Sequence, residues 1–489
     1  MISDVPLMSH VVTRTEHEAF TSLCGDRNPL HVDAQYGRRL MFGGIVTHGV
    51  HLVLRALETY AQFHGGLAAL IQLRARFFAA THPGERVTIR TDRDVFGPVF
   101  RDAALSIIDM HGRLVLRIQS RWTRNHFSSR AALPLRMPET ICESLSDSEI
   151  ANMAGVLALC LDQSSASNLF PYLSAELPAS QLAALLGTTR LVGMRLPGHD
   201  SVFASLDLSF ADSEPESRND LCYRTEFFSS EQRFCRLSVS SPGMSGRLEA
   251  FVRPNPVEQS TFSEIRTLVE PDIFAGRHAL VVGGSRGLGE TCAKLLTAGG
   301  AEVVLTYRSG VEDARRVAAQ LRDGGASVRS IHLDASDEEP ADLLALLNEG
   351  ARITDLYYFA TPQIFVETAH FRYTSFIAFA DIYVGAVARL FETLAGPLND
   401  GALRSVWLPS SAALESKPED MTGYIMAKLA MEYLVADWAR KYERIQFATP
   451  RLPRVTTDQT VTLASVPAEE PAPLLAGLLR SFARQRQSS

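Results

Sequence analysis

Gly283-Gly284-Ser285-Arg286-Gly287-Leu288-Gly289 is the stretch on which the reading of this chain turns. It follows the apolar run His278-Ala-Leu-Val-Val and precedes a helix-like stretch from Glu290 to Ala298. That order spells a buried strand, a tight turn and a helix start. Glycines let a backbone come close to a pyrophosphate, and a helix N-terminus offers unpaired N–H groups and the positive end of a dipole. From about 275 onward strand-like runs alternate with amphipathic helical ones, the pattern of a parallel, doubly wound sheet.

Downstream, Tyr424 and Lys428 fall on one face of a helix. A phenol with a pKa near about 10 is a poor acid or base at neutral pH, and an adjacent ammonium is expected to lower that pKa. Ser411, just after the strand-like Ser405-Val-Trp-Leu-Pro, can hold a substrate oxygen while Tyr424 delivers a proton. A lone Tyr-x-x-x-Lys is usually surface decoration, but here it stands in chain order with the glycine turn. The ensemble resembles the short-chain dehydrogenase/reductase family over most of 275–455. The resemblance implies a Rossmann-type sheet and a pyrophosphate turn built by Gly283, Ser285, Gly287, Leu288 and Gly289. It also implies an adenine contact at Asp334, and Ser411, Tyr424 and Lys428 as catalytic residues, the last two also lining the cofactor. At the end of the second strand, Leu305-Thr-Tyr-Arg308 has no acid for a ribose 2′-hydroxyl. Arg308 and Arg286 would pair instead with a 2′-phosphate, so NADPH is expected over NADH. Three departures from the family stand out. Its Asn-Asn-Ala-Gly reads Tyr358-Phe-Ala-Thr-Pro362, its proton-relaying asparagine aligns with Tyr383, and Pro450-Arg-Leu-Pro-Arg454 follows the sixth strand with no Asp-Gly-Gly to close the domain.

The other end of the chain carries Gly25-Asp26-Arg27-Asn28-Pro29-Leu30-His31, followed by Phe42-Gly-Gly-Ile-Val-Thr-His48-Gly49. A carboxylate and an imidazole on one turn can converge on one water, so Asp26 and His31 can share a proton transfer. Asn28-Pro29 fixes the turn. Gly49 opens a helix, where its N–H can polarise a carbonyl in an oxyanion-hole arrangement. The complete string resembles the MaoC-like, (R)-specific enoyl thioester hydratases and dehydratases of the hot-dog fold. That resemblance implies Asp26 and His31 as the catalytic pair and Gly49 as the oxyanion donor.

Around these motifs the chain reads as several domains, α+β followed by α/β. From 1 to 136 a loop-rich start leads to a helix near Val50–Phe63 and then to four or five strands that alternate apolar with polar, a helix wrapped in a curved sheet. From 137 to 258 the order recurs, with a helix near Pro178–Met194 and strands after it, so this part reads as a diverged duplicate. It lacks an Asp-x-Asn-Pro-x-His string and resembles the partner repeat of a double hot dog that shapes an acyl pocket. Gly198-His199-Asp200-Ser201 has the look of a phosphopantetheine attachment motif, but a strand follows it rather than a helix, so His199 reads as a loop histidine. Residues 253–261 and 259–274 read as linker, and 275–489 as the reductase domain.

Composition narrows the function. The 489 residues are 46% hydrophobic and 21% charged with a net charge of −7, which argues against a nucleic-acid partner. Six scattered cysteines with no C-x-x-C pair give no zinc spacing and suit a reducing compartment, so no metal is expected. No leader is read at the N-terminus, and the longest apolar run, near Met153–Leu161, is too short for a bilayer. A cytoplasmic homodimer or higher oligomer is expected. The favoured function is a bifunctional NADPH-dependent 3-oxoacyl-thioester reductase and (R)-3-hydroxyacyl-thioester dehydratase of fatty acid or polyketide assembly, acting on coenzyme A or acyl carrier protein thioesters. The alternatives are the oxidative direction of β-oxidation and a dehydratase whose reductase-like half only binds cofactor or partner.

Overall fold

The structure, a computed structural model, describes residues 5–125, 133, 141–212, 220–364, 371–464 and 466–487. Residues 1–4, where no leader was expected, and the expected boundary at 136/137 lie outside them. The chain divides into two compact units, Met1–Asn255 with Thr462–Ser465, and Pro256–Val461 with Val466–Ser489.

Among the described residues the first unit builds one ten-stranded sheet. Its strands are β1 (Val5–Val11), β2 (Ala69–Phe77), β3 (Arg86–Phe96), β4 (Phe100–Asp109), β5 (Leu114–Thr123), β6 (Ala154–Ala158), β7 (Ser201–Phe210), β8 (Asp220–Ser229), β9 (Phe234–Ser241) and β10 (Met244–Val252). Their order is β1-β3-β4-β5-β2-β7-β10-β9-β8-β6. Read inward from either end the two halves have the same topology, 1-3-4-5-2 matching 6-8-9-10-7, and they meet edge to edge through the antiparallel β2–β7 pair. In each half the long helix, Gly49–His64 or Ala179–Met194, lies in sequence between the first strand and the second. Side chains of both helices and of both sheet halves merge into one core, from Val50 and Leu57 to Leu185 and Leu208. The Ala179–Met194 helix is buried on every face from Gln181 onward, and its polar members Gln181 and Thr189 are buried with side-chain hydrogen bonds.

One detail shows how the halves are joined. β2 slips register against β5 between Leu70 and Gln72, a bulge that disturbs the ladder there. The Gln181 side chain fills the gap, its Oε1 accepting from Leu70 N at 2.9 Å and its Nε2 donating to Leu70 O at 2.9 Å.

The loop-rich start is a correction. β1 pairs with β3, and Arg14–Cys24 is a helix, opened by Thr13, whose side chain accepts from Glu16 N, and closed at Gly25 in the left-handed region at φ 72°. Its buried face holds His17 and Thr21 beside Phe20 and Leu23, so polar side chains hide its apolar period.

The second unit carries a six-stranded, all-parallel sheet, with β11 (His278–Val282), β12 (Glu302–Tyr307), β13 (Val328–His332), β14 (Asp355–Tyr358), β15 (Ser405–Trp407) and β17 (Gln446–Ala448) in the order β13-β12-β11-β14-β15-β17. The short β16 (Ser410–Ser411) pairs with β18 (Arg451–Leu452). Strand order reverses between β11 and β14, and ligands of such sheets bind at the carboxyl ends of the strands at this switch point. The stretch 259–274 is not a linker: Phe262, Ile265, Val269 and Phe274 belong to the core of this unit. Their spacing among polar residues conceals a helical turn, Phe262–Ile265, opened by a Thr261–Glu264 capping box. The apolar run near Met153 is also not the longest. Tyr373–Ala395 spans 23 residues and, by length and composition alone, is apolar enough to cross a membrane; its Phe379, Tyr383, Leu390 and Phe391 are buried in this unit.

Gln181→Ala leaves the Leu70 N–H and C=O buried without partners. It should destabilise the first unit by about 1–3 kcal/mol, read as a lower denaturation midpoint for that unit.

Candidate active sites

In the first unit, Asp26 follows the Arg14–Cys24 helix and is 1% exposed. Its carboxylate oxygens are held from two sides: Oδ1 accepts from Asn28 N at 3.2 Å, and Oδ2 accepts from Thr189 Oγ1 at 2.8 Å. Thr189 belongs to the second half's long helix. One turn on, Gly193 lies so close that a Cβ there would sit 2.2 Å from Asp26 Oδ1. Asn28 ties the same two segments together. Its Oδ1 accepts from Leu30 N at the start of the short Pro29–Val32 helix, while its Nδ2 donates to the carbonyls of Gly193, Gly198 and His199 at 2.8, 3.1 and 3.0 Å.

His31 stands across from Asp26, its Nε2 3.9 Å from Asp26 Oδ2. His31 Nδ1 lies 2.7 Å from the Val46 carbonyl. A carbonyl only accepts, so Nδ1 carries the proton and Nε2 of the neutral ring presents a lone pair. The His48 ring stacks on His31 at 3.8 Å, and its Nε2 donates to Asp26 O at 3.0 Å. His48 precedes Gly49 at the helix start, where no side chain caps the end, so the first-turn N–H groups face outward from it. Burial raises the Asp26 pKa, against the opposing pull of His31, Thr189 and the Asn28 N–H. Burial first, and then the neighbouring His31 and His17, push the His48 pKa well below the imidazole range. Asp26, His31 and His48 bring ligand-type atoms within 4.8 Å of one another, the spread of a metal site. His48 Nε2 is already a donor to a carbonyl, however, so the trio suits proton transfer.

Of the residues the sequence singles out, Asp26 and His31 face each other and Gly49 follows His48 at the helix start; the sequence gives no role to His48, His17, Thr189 or Gly193. His48 was visible beside Gly49; Thr189 and Gly193 meet Asp26 only through tertiary packing, with no local pattern to betray them. His199 lies between helix and β7, Nδ1 2.8 Å from Asp200 Oδ1.

In the second unit the glycine turn joins β11 to the Gly287–Ala298 helix. Gly283 has φ 78°, and a Cβ there would meet Ala360 N at 2.9 Å; a Cβ on Gly289 would meet Gly283 O at 2.2 Å. These bare positions form a cradle that side chains would fill, and they fit a bound pyrophosphate at the helix N-terminus. Ser285 is buried in the turn, and Leu288 packs on the core beneath it. Arg308 is exposed just past β12 and acts electrostatically on Asp334, whose Oδ1 accepts from Ser336 N at 3.0 Å and Ser336 Oγ at 2.7 Å. Arg286 differs in having a carboxylate nearby, its Nη1 3.7 Å from Asp458 Oδ2.

Ser411 and Tyr424 share a side-chain hydrogen bond. The Tyr424 pKa is raised, because burial outweighs that bond, and this corrects the expected lowering. The reason is where Lys428 points: its Nζ donates to Pro409 O at 2.7 Å and lies 3.8 Å from the centre of the Tyr383 ring. Burial lowers the Lys428 pKa to about 7, against the pull of Glu432.

Comparisons with known proteins cover both units. A family model described as short chain dehydrogenase matches residues 277–461, and one described as MaoC like domain matches residues 5–100. The chain carries a MaoC-like domain and a short chain dehydrogenase domain. An NADPH-dependent aldehyde reductase-like protein, chloroplastic, of Arabidopsis thaliana is 26% identical over 186 residues, 34% of this chain and 67% of that protein. The 3beta-hydroxysteroid dehydrogenase 1 of Eggerthella lenta is 34% identical over 73 residues, 15% of this chain and 28% of that protein. The chain thus spans two thirds of one curated relative and little more than a quarter of the other. Among solved structures, the Pseudomonas aeruginosa RhlG/NADP active-site complex aligns with a TM-score of 0.40 at 25% identity, covering 44% of this chain and 92% of that one. A 3-oxoacyl (acyl-carrier-protein) reductase from Agrobacterium tumefaciens C58 with NADP bound aligns with a TM-score of 0.38 at 20% identity, covering 44% and 91%.

Gly193→Ala puts a methyl group against Asp26 from a segment with no catalytic residue of its own. Any turnover that depends on Asp26 should fall at least about tenfold, the order expected when a reacting group is displaced by an ångström or less, read as kcat in steady-state assays with an enoyl thioester as test substrate.

Proposed function

We propose that the chain is a bifunctional enzyme of 3-oxoacyl thioesters: an NADPH-dependent reductase that makes an (R)-3-hydroxyacyl thioester, and a dehydratase that takes water from it to give the trans-2-enoyl thioester. We read the first unit as a double hot dog in which the first half carries the chemistry and the second supports it. The observation that carries the reading is the 3.9 Å gap between Asp26 Oδ2 and His31 Nε2. It is too long for a hydrogen bond between them, so both atoms are available to one reacting group placed between.

The proton balance follows. Burial favours the neutral acid of Asp26, and His31 Nε2 presents a lone pair. His31 takes the C2 proton as the C2–H electrons form the C2–C3 double bond; Asp26 protonates the 3-hydroxyl, which leaves as water as the C3–O bond breaks. Gly49 N–H, at the positive end of its helix, holds the charge that builds on the thioester oxygen. The proton returns from His31 to Asp26 before the next turnover.

In the second unit, Gly283, Gly287 and Gly289 with Ser285 would hold the pyrophosphate and Arg308 the 2′-phosphate. NADPH is the cofactor: no acid follows β12, Arg308 is exposed there, and the plant relative is named for NADPH. When bound it supplies a hydride to C3 of the ketone. Ser411 holds the ketone oxygen, and Tyr424, kept as a neutral phenol by burial, gives it a proton. The two activities share the 3-hydroxyacyl thioester, and NADPH favours the reductive, biosynthetic direction of fatty acid or polyketide assembly. The acyl group rides on coenzyme A or a carrier protein.

Asp26→Asn and His31→Ala should each reduce dehydration on the order of a hundredfold or more, with NADPH oxidation by a 3-oxoacyl thioester surviving. Tyr424→Phe should abolish that oxidation while NADPH still binds, measured by fluorescence titration. Near-normal dehydration by Asp26→Asn sinks the first half of the proposal, and NADPH binding without turnover sinks the second.

Burial of Asp26 adds a stability signature. A carboxyl whose folded pKa is raised contributes stability below its unfolded pKa that is lost as pH rises through the folded value. Asp26→Asn escapes that loss, so its Tm relative to wild type should climb between pH 4 and pH 8 in paired thermal melts.

A further inference from the structure

The residue aligned with the reductase family's asparagine is Tyr383, and its surroundings give it a definite task. Tyr383 is 2% exposed and sits in a π-helical turn, Asp381–Gly385, that interrupts the helix from Tyr373 to Ala395. Such turns widen a helix by one residue and cluster at functional sites. Two hydroxyls from the loop after β14 fix this one. Tyr358 Oη donates to Ile382 O at 2.7 Å, inside the widened turn, and Thr361 Oγ1 bonds the Tyr383 hydroxyl. Both come from Tyr358-Phe-Ala-Thr-Pro362, the other segment that departs from the family pattern. The Tyr383 ring is thereby held by its tip, with Phe379 stacked parallel at 6.2 Å and Tyr424 edge-on at 5.7 Å. Its face meets the Lys428 ammonium 3.8 Å from the ring centre.

We propose that Tyr383 is a positioning residue for reduction: its ring face and the Pro409 carbonyl form a seat that keeps the Lys428 ammonium charged and aimed inside a buried site. The proposal rests on the reductase reading above. An ammonium has three N–H groups. One is given to Pro409 and one side is met by the ring, which leaves donor capacity for a substrate or cofactor oxygen. The attraction between a cation and a ring face strengthens where water is excluded, and Lys428 is buried. The titratable groups around Lys428 are Tyr383 from the π-turn, and Tyr424 and Glu432 one turn either side on its own helix. Glu432 also favours the charged lysine but is itself engaged by Arg451, Nε at 2.9 Å and Nη2 at 2.8 Å, while the Tyr383 ring meets the ammonium at contact distance. Burial lowers the Lys428 pKa to about 7 against the pull of Glu432, so the charged form needs local support.

The composition makes the test direct. The chain has four lysines, Lys294, Lys417, Lys428 and Lys441, so lysine-selective 13Cε/15Nζ labelling of the full chain gives four titrations to follow. Lys428→Arg assigns the signal. Lys294, bonded to Glu290 and to Ser260 O in the same unit, reports whether the fold is intact. In Tyr383→Leu the Lys428 pKa should fall by about 0.5 to 1.5 pH units, the loss of a desolvated cation–ring contact. In Tyr383→Phe, which keeps the face and loses only the hydroxyl, it should stay near the wild-type value. If Tyr383→Leu disturbs the Lys294 signal, Tyr383→Met takes its place. In the reductase assay the high-pH limb of kcat should move down with the Lys428 titration. A Lys428 titration that ignores loss of the ring overturns the seat, whatever the turnover. A titration that follows the ring, in a protein that turns over no 3-oxoacyl thioester, leaves the seat standing and overturns the reductase reading.

Discussion

A carboxylate taken out of water must find partners, and Asp26 finds them outside its own half of the sheet. Desolvating an unpartnered carboxyl costs several kcal/mol, so its position holds only where donors converge on it. The Asn28 N–H is local, but the Thr189 hydroxyl and the space left by Gly193 come from the second half's long helix. Asn28 closes the joint by donating to Gly193 O and to the carbonyls just past the end of that helix, groups that a helix terminus leaves without intrahelical partners. The second half carries no Asp-x-Asn-Pro-x-His string, yet its Thr189 and Gly193 help fix the geometry of the first half's pair. The half without that string thus forms part of the wall around Asp26.

Much of this was legible in the sequence, and the pattern of what was not is instructive. β2 to β5 and β7 to β10 follow from local alternation and the helix from Gly49 from its period, while the helix from Ala179, buried all round, shows as a long, largely apolar run. The Arg14–Cys24 helix escaped because His17 and Thr21, polar by composition, take core positions and erase the stripe. Phe262–Phe274 escaped because scattered apolar residues among polar ones look the same in a linker and in a strap across a core. In the sites, Asp26, His31, Ser411 and Tyr424 were readable because each lies in a short string. Thr189 and Gly193 were not, since the contact with Asp26 spans most of the first unit and leaves no mark on nearby spacing. The direction of the Tyr424 shift was misread for a related reason. Helical spacing places Lys428 on the same face, but only the fold shows that its ammonium goes to Pro409 and Tyr383.

Two of the second unit's three departures from the family pattern, Tyr358–Pro362 and Tyr383, are joined by direct bonds. Tyr358 and Thr361 on one segment meet Ile382 and Tyr383 on the other, and neither pair makes sense alone. A buried tyrosine hydroxyl without a partner would cost about 1–3 kcal/mol, so Tyr383 requires a bonding group where Thr361 stands. A π-turn leaves a main-chain carbonyl out of register, and Tyr358 answers it. Sequence comparison counts these as separate losses; bonding makes them one compensated replacement.

Desolvation then unifies the two units. It raises Asp26 and Tyr424 and lowers His48 and Lys428, in every case favouring the neutral form. In the proposed sequence the same atom, the oxygen on C3, must accept a proton twice, first as a ketone being reduced and then as a hydroxyl departing. Each step needs a donor that still carries its proton at neutral pH. Tyr424 satisfies this with ease, since a phenol is neutral there by nature and burial only strengthens the preference. Asp26 is the demanding case, because an exposed carboxyl would be ionised and unable to donate. Burial at 1% exposure supplies the upward pull, opposed by the charge of His31 and, as two direct restraints, by Thr189 and the Asn28 N–H. Those two restraints are also the bonds that fix the residue in place, so the geometry and the acidity of the dehydratase site cannot be tuned independently.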